Sequence, residues 1–520
     1  MRYIGFKNFR RFEELKPLPL APITIFVGGN NSGKSTVVKG MLSILGFFED
    51  DCLFEHDEGD YGTDEMGIKI RPARVAHNQR FYFNKNYYAH IGTCSRALRC
   101  GAKPKEISFI FGTGSFQYEI IVGIDDESEE ATSGRIVKIR IMDQWNIEFI
   151  IDLVQWSAEI VFHPSDLEKY KRAVDEAKDE PSRSYAERKY EYFKSVKEEI
   201  RIPIKHLSEY SRDFRDYGNV VDVLCRVLAN TLNPILEQGA GGLLPRNDKE
   251  KAVASVDLSE DLRLFLINSP LVSKYGGEPK IMMRSHRMGE SIEYIYAHAV
   301  TQTVIYSAKD TNDYLVKTVH DFANSRISRS SKGEKRELYQ FIIQWMKVFE
   351  IGEDYTVRSI GGEAHIVKIK NMKGELVNMA DMGMGSIQLM ILLFRIGALL
   401  SRGRRRTTII LEEPEQNLHP KLQSHLADLL LTISEKFNLR FIVETHSEYL
   451  IRKTQVIVGE RFNTPELLPY NPFRVFYFPS EGQPYDMEYT PSGKFVQPFG
   501  EGFFDEAANL HMTVLKNSRK

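Results

Sequence analysis

The chain has 520 residues, which at roughly 150 residues per domain corresponds to about three domain-sized units. Its 69 basic and 71 acidic side chains leave a formal net charge of −2, and this balance excludes a uniformly basic nucleic-acid coat protein while leaving local basic patches open. Four scattered cysteines without CxxC spacing exclude a disulfide-rich scaffold and a zinc-finger type of site, and they favour a reducing compartment.

A phosphate-binding loop is the first motif along the chain. Ile23–Val27 is a short apolar run, which predicts a buried strand. The letters GGNNSGKST follow at 28–36 and a helical pattern comes next, so the segment has the GxxxxGK[ST] motif in its strand–loop–helix context. Loop amides and the helix N-terminus would hold phosphates, Lys34 would reach the β- and γ-phosphates, and Ser35 would bind Mg²⁺. The expected ATP-binding residues are Gly28, Asn30, Asn31, Ser32, Gly33, Lys34, Ser35 and Thr36.

The middle of the chain predicts a sheet followed by helices. From Glu106 to Ile151 apolar and polar residues alternate, which indicates an antiparallel meander that completes an N-terminal segment, 1–155. Residues 165–200 are densely charged and open with a capping box at Ser165, so 156–290 is predicted to be a mostly helical insertion. Such an insertion is either an arm for dimer or partner contact, or a solvated insertion without a partner.

A second lobe is expected at 291–400. Its predicted elements are helices at Ile292–Leu315 and Glu334–Phe349, a hairpin of His365–Lys370 with Leu376–Val377, and an apolar helix at Leu389–Leu400. The unbroken apolar run inside that last helix, Leu389–Phe394, is too short for a membrane span. Since Pro17, Pro19 and Pro22 also break up the first apolar region, we expect no signal-peptide core and a cytoplasmic protein.

A glycine-paired turn precedes the apolar helix. Gly383, Gly385 and Ser386 stand at the helix start, where free backbone amides bind anions. One nucleotide does not need two such termini from distant parts of one chain. We therefore expect these residues to face the phosphate loop of a second copy, with a flexible loop before a core helix as the alternative.

The C-terminal segment, 401–520, supplies acidic and histidine residues at two strand ends. Thr407–Leu411 predicts a buried strand that ends in Glu412 and Glu413, and carboxylates at this edge of a parallel sheet lie near bound ligands. We expect Glu412 to hold Mg²⁺ and Glu413 to activate the attacking water. A further strand, Arg440–Glu444, leads to His446, which is placed to contact a γ-phosphate.

Together these motifs resemble the ABC-type ATPase heads of the SMC, RecF and OLD group. The resemblance rests on residues 5–12 as first strand, 28–36 as Walker A, 412–420 as Walker B and D-loop, 445–448 as the switch-histidine segment and 502–506 as a tail found in OLD-like ATPases. Two positions depart from the family pattern: Gly383 replaces a serine that contacts the γ-phosphate, and Glu412 replaces a commoner Asp. The Q-loop is not recognisable; Gln79 and His90 are weak candidates near 86–101.

The resemblance implies an α/β fold with an antiparallel subdomain and a helical second lobe, ATP and Mg²⁺ as ligands, and a homodimer or larger homo-oligomer. OLD-like chains of this size resemble the ATPase subunits of bacterial anti-phage systems such as Septu and PARIS, which control a separately encoded nuclease. Only 74 residues follow His446, and 469–498 has no DxD-type cluster, so we expect no Toprim nuclease domain here.

Two alternative functions stay open. One is a RecF-like DNA-repair clamp, in which basic clusters at 326–336 and 402–406 would track a phosphate backbone, although neither has interleaved aromatic residues or a nucleic-acid motif. The other is a scaffold that binds ATP with little turnover. No membrane contact is expected.

Overall fold

The structure is a computed structural model that describes a defined set of residues. These are 1–48, 62–63, 69–70, 80–84, 89, 91–113, 116–124, 131–142, 147–152, 154–155, 157–162, 171, 174–175, 183, 187, 200–204, 272–275, 278–281, 292–296, 306–307, 314–361, 364–403, 407–464, 471–500 and 503–517. Most of the expected insertion at 156–290, the Q-loop candidates Gln79 and His90, and the basic residues 404–406 lie outside the described residues.

The described elements are mostly strands in the first part of the chain, and most of the helices follow Tyr314. The first are β1 (Tyr3–Phe9), β2 (Phe12–Pro19), β3 (Ile23–Gly28), α1 (Lys34–Phe48), β4 (Gly62–Thr63), β5 (Lys69–Ile70), β6 (Arg80–Tyr82), α2 (Cys94–Ala97), β7 (Glu106–Thr113), β8 (Phe116–Gly123), β9 (Ser133–Met142), β10 (Ile147–Asp152), β11 (Ser157–Phe162), β12 (Ile200–Ile204), β13 (Val272–Tyr275) and β14 (Glu278–Ile281). The others are β15 (Ile292–Tyr296), β16 (Tyr306–Ser307), α3 (Tyr314–Ser325), α4 (Glu334–Val348), β17 (Asp354–Ile360), β18 (Ala364–Lys370), β19 (Leu376–Asn378), α5 (Met384–Ser401), β20 (Thr408–Glu412), α6 (Pro420–Phe437), β21 (Arg440–Glu444), α7 (Glu448–Phe462), β22 (Phe473–Phe478), β23 (Tyr485–Asp486) and α8 (Glu506–Asn517).

The chain divides into two compact units, of which the first comprises Met1–Pro19 and Thr36–Met288. Its main sheet is antiparallel, in the order β12-β11-β10-β9-β8-β7-β1-β2, with β6 on β9. The alternation between Glu106 and Ile151 places one set of side chains inside, where Phe109 stacks on Phe81 with ring centroids 4.7 Å apart. The predicted meander is confirmed.

The second unit comprises Leu20–Ser35 and Gly289–Lys520 and is built on a parallel sheet. Its strand order is β15-β20-β21-β3-β22, with β23 antiparallel at the β22 edge. The central strand β3 is buried along its whole length, which explains its continuous apolar sequence. The predicted α/β fold class, with a parallel phosphate-loop sheet and an antiparallel subdomain, is confirmed.

The predicted helix at Ile292–Leu315 is wrong at two described segments, and the residues between them lie outside the described residues. Ile292–Tyr296 is strand β15, which pairs with β20, and Tyr306–Ser307 is strand β16, which pairs with β18. The sequence IEYIY carries β-branched and aromatic side chains that favour a strand, and the described helix begins only at Tyr314. The hairpin of β18 and β19 and the helix α4 are confirmed.

Helix α5 is the core of the helical part of this unit. It begins at Met384, five residues before the predicted start at Leu389, because Met384 and Gln388 are good helix formers. Phe394 of α5 stacks on Phe322 of α3 with ring centroids 4.0 Å apart. Among the described residues α5 is the one helix long and apolar enough to cross a bilayer, and 78% of it is buried within the fold, as in a core helix.

Candidate nucleotide-binding site

The phosphate loop leaves the buried strand β3 at Gly28 and reaches helix α1 at Lys34. Gly28, Asn31 and Gly33 have φ angles of 149°, 59° and 108°, which curl the backbone into a loop of the kind that points amides inward. A Cβ at Gly28 would lie 2.2 Å from the Phe478 carbonyl oxygen, so the neighbouring strand β22 also requires glycine here.

The loop residues differ in exposure. Asn30 and Asn31 are exposed, whereas Ser32, Gly33 and Thr36 are buried. Thr36 belongs to the first unit, and the loop residues before it, 28–35, belong to the second. The Ser32 hydroxyl is buried without a hydrogen-bond partner among the described residues. A buried hydroxyl of this kind suits a polar ligand at the loop.

Lys34 and Ser35 point to the carboxyl edge of the parallel sheet. Lys34 Nζ donates hydrogen bonds to the carbonyls of Gly28 at 3.0 Å and Gly29 at 2.8 Å. Burial lowers the pKa of Lys34, and nearby glutamates, Glu444 foremost, oppose this shift. Ser35 Oγ donates to Glu444 Oε1 at 2.8 Å, and the same oxygen lies 3.9 Å from Lys34 Nζ.

Glu444 is a site residue that the sequence analysis missed. Strand β21 lies between β20 and β3, and its last residue, Glu444, pairs in register with Glu412 on one side and Phe26 on the other. The strand that carries Glu444 is therefore closer to the phosphate loop than the strand that carries Glu412. The rule that singled out Glu412, a carboxylate at the end of a parallel strand, applies equally to Glu444.

The electrostatics of Glu444 are dominated by its burial. Burial raises the pKa of this carboxyl to about 7, and the charges of Glu412 and Glu413 act in the same direction. The hydrogen bond from Ser35 and the charge of Lys34 oppose the rise. The second carboxylate oxygen, Oε2, is buried and has no hydrogen-bond partner among the described residues.

Glu413 and His446 lie together at the same edge. Glu413 Oε1 is 3.6 Å from His446 Nε2, and Glu413 Oε2 accepts a hydrogen bond from Gln416 Nε2. The backbone of Glu413 is in the left-handed region, with φ of 46°, and its amide donates to the Glu444 carbonyl at 2.7 Å. Burial, and then the charge of Lys34, lower the pKa of His446, which favours the neutral imidazole. The structure thus brings an oriented carboxylate and a neutral histidine to one place.

Glu415 connects the acidic loop to the histidine loop, and the sequence analysis missed this residue too. Its Oε1 accepts a 2.7 Å hydrogen bond from the His446 amide, and burial raises its pKa. The histidine loop ends at Ser447, whose hydroxyl caps α7 by accepting from the Leu450 amide at 3.1 Å. The backbone on both sides of His446 is therefore fixed.

The glycine turn at Gly383 caps helix α5, with Gly385 and Ser386 in the first turn. Gly383 is exposed, and a Cβ built there would have no atom within 4 Å. Gly385 is buried against the acidic loop of its own chain: a Cβ there would lie 2.5 Å from the Asn417 carbonyl oxygen. The turn and the acidic loop therefore fit closely at Gly385, while Gly383 faces outward.

The side chains at this edge suit a magnesium ion that is shared with phosphates. The Ser35 hydroxyl and the carboxylates of Glu412 and Glu444 are hard oxygen ligands, and the unpaired Oε2 of Glu444 is a free acceptor. Among the described residues no group of three or more His, Cys, Asp or Glu is arranged to enclose a metal. Since Mg²⁺ is commonly held by one or two carboxylates with substrate phosphates and water, the residues fit such an ion.

The part of the chain that carries the acidic and histidine loops matches a known family. Residues 281–451 are similar to the AAA ATPase domain, and Glu412, Glu413 and His446 lie within this segment. No curated protein matches the chain.

Several SMC heads are similar in structure to the whole chain. One is the Smc head bound to the C-winged helix domain of ScpA (11% identity, 98% of this chain and 99% of that chain, TM-score 0.34). A second is an Smc head with an extended coiled coil bound to the C-terminal domain of ScpA derived from Pyrococcus furiosus (11% identity, 100% of this chain and 99% of that chain, TM-score 0.34). A third is the SMC head domain from Thermotoga maritima (10% identity, 94% of this chain and 100% of that chain, TM-score 0.32).

Proposed function

We propose that the chain is an ABC-type ATP hydrolase that works as a homodimer. The observation that carries the proposal is the meeting of Lys34, Ser35, Glu413, Glu444 and His446 at one edge of a parallel sheet. A phosphate loop, carboxylates and a histidine in this arrangement suit phosphoryl transfer to water, because that reaction needs positioning and charge stabilisation rather than covalent chemistry.

Phosphate binding is assigned to the loop. The amides of Gly28–Ser35 and the N-terminus of α1 supply donors, and Lys34 Nζ exchanges its carbonyl partners for phosphate oxygens. Ser35 and Glu412 would hold Mg²⁺, which when bound screens the phosphate charge and orients the γ-phosphate. Burial of Lys34 in the edge strengthens its attraction to the phosphates.

Water activation is assigned to Glu413. Gln416 donates to one oxygen of this carboxylate and the other oxygen lies 3.6 Å from His446, and the carboxylate would accept a proton from the attacking water. The lowered pKa of His446 keeps the imidazole neutral near pH 7, so that it can both accept and donate hydrogen bonds at the γ-phosphate. Glu415 fixes the histidine backbone relative to the acidic loop.

The second half of each site is assigned to another copy of the chain. Gly383, Gly385 and Ser386 lie at the start of α5, whose first amides are available to an anion. Gly383 is exposed, which allows close approach of a partner. Closure of two sites between two copies would couple nucleotide state to dimer shape.

For the biological role we propose a cytoplasmic ATPase subunit of a bacterial anti-phage complex that controls a separately encoded nuclease. The support is the motif resemblance to OLD-like ATPases at 28–36, 412–420 and 445–448. A purification from the native host with the neighbouring genes intact, followed by native mass measurement with and without ATP and Mg²⁺, tests this role. Two or more copies with a second protein support it; a homodimer that closes on ATP without a partner favours the DNA clamp.

The enzymatic proposal is tested with Glu413→Gln and Lys34→Ala. Glu413→Gln should lower kcat by about 10²–10⁴-fold while ATP still binds, because a general base is lost and the phosphate contacts stay. Lys34→Ala should abolish binding. The control is Glu435→Gln, which replaces an exposed acid near the C-terminal end of α6. This variant should hydrolyse ATP at the wild-type rate.

Three outcomes contradict the proposal in different ways. No hydrolysis by the wild-type chain, with assembly that needs Lys34 but not Glu413, indicates a scaffold. Turnover that depends on duplex DNA and on Arg404–Arg406 indicates a clamp. Metal-dependent DNA cleavage by the purified chain alone overturns the idea of a separate nuclease.

A further inference from the structure

The orientation of the Ser35 hydroxyl is set by a single strong hydrogen bond. Its Oγ donates to Glu444 Oε1 at 2.8 Å. A serine hydroxyl has one proton and two lone pairs, so a proton committed to a carboxylate leaves the lone pairs directed elsewhere. A serine that binds a cation needs this arrangement, because a proton facing the ion would repel it.

We propose that Glu444 is the positioning residue that prepares Ser35 for the metal, whereas the motif pattern names only Glu412 as a carboxylate on the metal side. The inference rests on the proposed function, since it concerns the magnesium that accompanies ATP at this loop. It assigns the serine-orienting carboxylate to the histidine strand, β21, rather than to the acidic strand, β20.

The strand order explains why Glu444 has this position. Neighbouring strands lie about 4.8 Å apart, so the end of β21 is about one strand spacing from β3 and the end of β20 is about two. The register confirms the sequence of neighbours, because Glu444 pairs with both Phe26 and Glu412. The measured contact of Glu444 with Ser35 is the direct result of this placement.

The second oxygen of Glu444 extends the role towards the ion. Oε2 is buried without a partner among the described residues, and the Glu444 side chain is only 5% exposed. A buried carboxylate oxygen without a donor is costly, and the water shell of a magnesium ion supplies suitable donors. Glu444 can therefore orient Ser35 with one oxygen and hold metal-bound water with the other.

A simpler role for Glu444 is a counter-ion for Lys34. Glu444 Oε1 lies 3.9 Å from Lys34 Nζ, which is beyond hydrogen-bond distance, and the lysine donates instead to the carbonyls of Gly28 and Gly29. The bonded partner of Glu444 is thus Ser35, and the lysine contact is the weaker of the two.

The test is a pair of double-mutant cycles on the full-length chain. Ser35→Ala is combined with Glu444→Gln in one cycle and with Glu412→Gln in the other. Two quantities are measured for each variant: the Kd of a fluorescent ATP analogue without metal, and the Kd of Mn²⁺ for the protein with bound ATP, by electron paramagnetic resonance. Circular dichroism and thermal unfolding identify variants that do not fold.

Glu444→Gln should weaken Mn²⁺ binding by about 10–100-fold, the usual effect of losing a residue that orients a metal ligand, and should change metal-free nucleotide binding by less than about twofold. The double variant Ser35→Ala with Glu444→Gln should bind Mn²⁺ no more weakly than the weaker-binding single variant, because the two residues act through one contact. Ser35→Ala with Glu412→Gln should be close to additive.

Three results would overturn the assignment. The first is Mn²⁺ affinity in Glu444→Gln within twofold of wild type. The second is a large interaction energy between Ser35→Ala and Glu412→Gln in Mn²⁺ binding. This second cycle can be measured even if Glu444→Gln fails to fold. If metal-free nucleotide binding falls as much as metal binding, Glu444 serves Lys34 instead. If the wild-type chain binds no nucleotide at all, the proposed function itself fails.

Discussion

Replacement of Gly385 by alanine tests how tightly the glycine turn fits the acidic loop. The new Cβ would lie 2.5 Å from the Asn417 carbonyl oxygen and 2.8 Å from Leu418 Cδ2. Ordinary contacts start near 3.4 Å, so helix and loop must separate by about 0.9 Å. Overpacking of this kind typically costs about 1–3 kcal/mol. Alanine recovers up to about 1 kcal/mol through its helix propensity, so the middle of this range gives an expected net loss of about 1 kcal/mol.

The displaced loop carries the proposed base, so activity should fall together with stability. Glu413 lies four residues before Asn417, and a shift of about 1 Å at a reacting group can cost about 10²-fold in rate. Urea unfolding measures the free energy of unfolding, and steady-state hydrolysis measures kcat. Gly383→Ala is the matched control, because a Cβ at Gly383 meets no atom within 4 Å. Its stability should stay within about 1 kcal/mol of wild type, the cost of alanine at a helix N-cap.

The comparison has clear contradicting results. Wild-type stability and kcat in Gly385→Ala would show that the acidic loop yields without cost and that the fit does not position Glu413. Equal destabilisation by both variants would attribute the effect to helix capping alone. A stable Gly383→Ala that no longer hydrolyses ATP would support contact with a second copy, since nothing within its own chain is disturbed.

Three further predictions follow from described contacts. Asp321→Asn should lower the free energy of unfolding by about 3–5 kcal/mol in urea, because Arg395, only 7% exposed, loses the negative charge that lies 2.7 Å away. Burial would raise the pKa of Asp321, but its ion pairs with Arg402 and Arg395 outweigh burial and lower it. The stability that these ion pairs provide should therefore be lost in the wild-type protein as the pH falls through the lowered pKa. The Asp321→Asn variant should lack this part of the pH dependence. The exposed pair of Lys421 with Glu350 is the control, and Glu350→Gln should give no measurable change. His446→Gln should lower kcat and leave the Kd of ATP near wild type; a large change in Kd would contradict a role at the γ-phosphate.

The features that the sequence predicted correctly depend on local patterns. The strand at Ile23–Val27 and its loop are encoded within one stretch of chain, and so are the meander from Glu106 to Ile151 and the strand at Thr407–Leu411. In each segment the apolar residues have the spacing that is typical of a strand, and the run ends at a glycine or a charged residue. Local structure of this kind needs no knowledge of the neighbours.

The features that the sequence did not predict depend on neighbours in space. Strand β15 has five residues that favour a strand, but its pairing with β20, more than 100 positions later in the chain, is not part of the local pattern. Glu415 belongs to the site only because it is buried and accepts from the His446 amide. A sequence pattern contains neither pairing partners nor burial, so both were missed for the same reason.

The order of strands decides which carboxylate does which task. A motif names the acidic pair Glu412 and Glu413 because they follow one another in the sequence, yet the sheet inserts β21 between that pair and the phosphate loop. The insertion brings Glu444 onto Ser35, while Glu413 turns through a left-handed backbone towards His446. In the proposed site, the carboxylate that orients Ser35 and the carboxylate that activates water therefore lie at the ends of different strands, β21 and β20. Substitution of Glu444 should consequently weaken metal binding, whereas substitution of Glu413 should lower the catalytic rate.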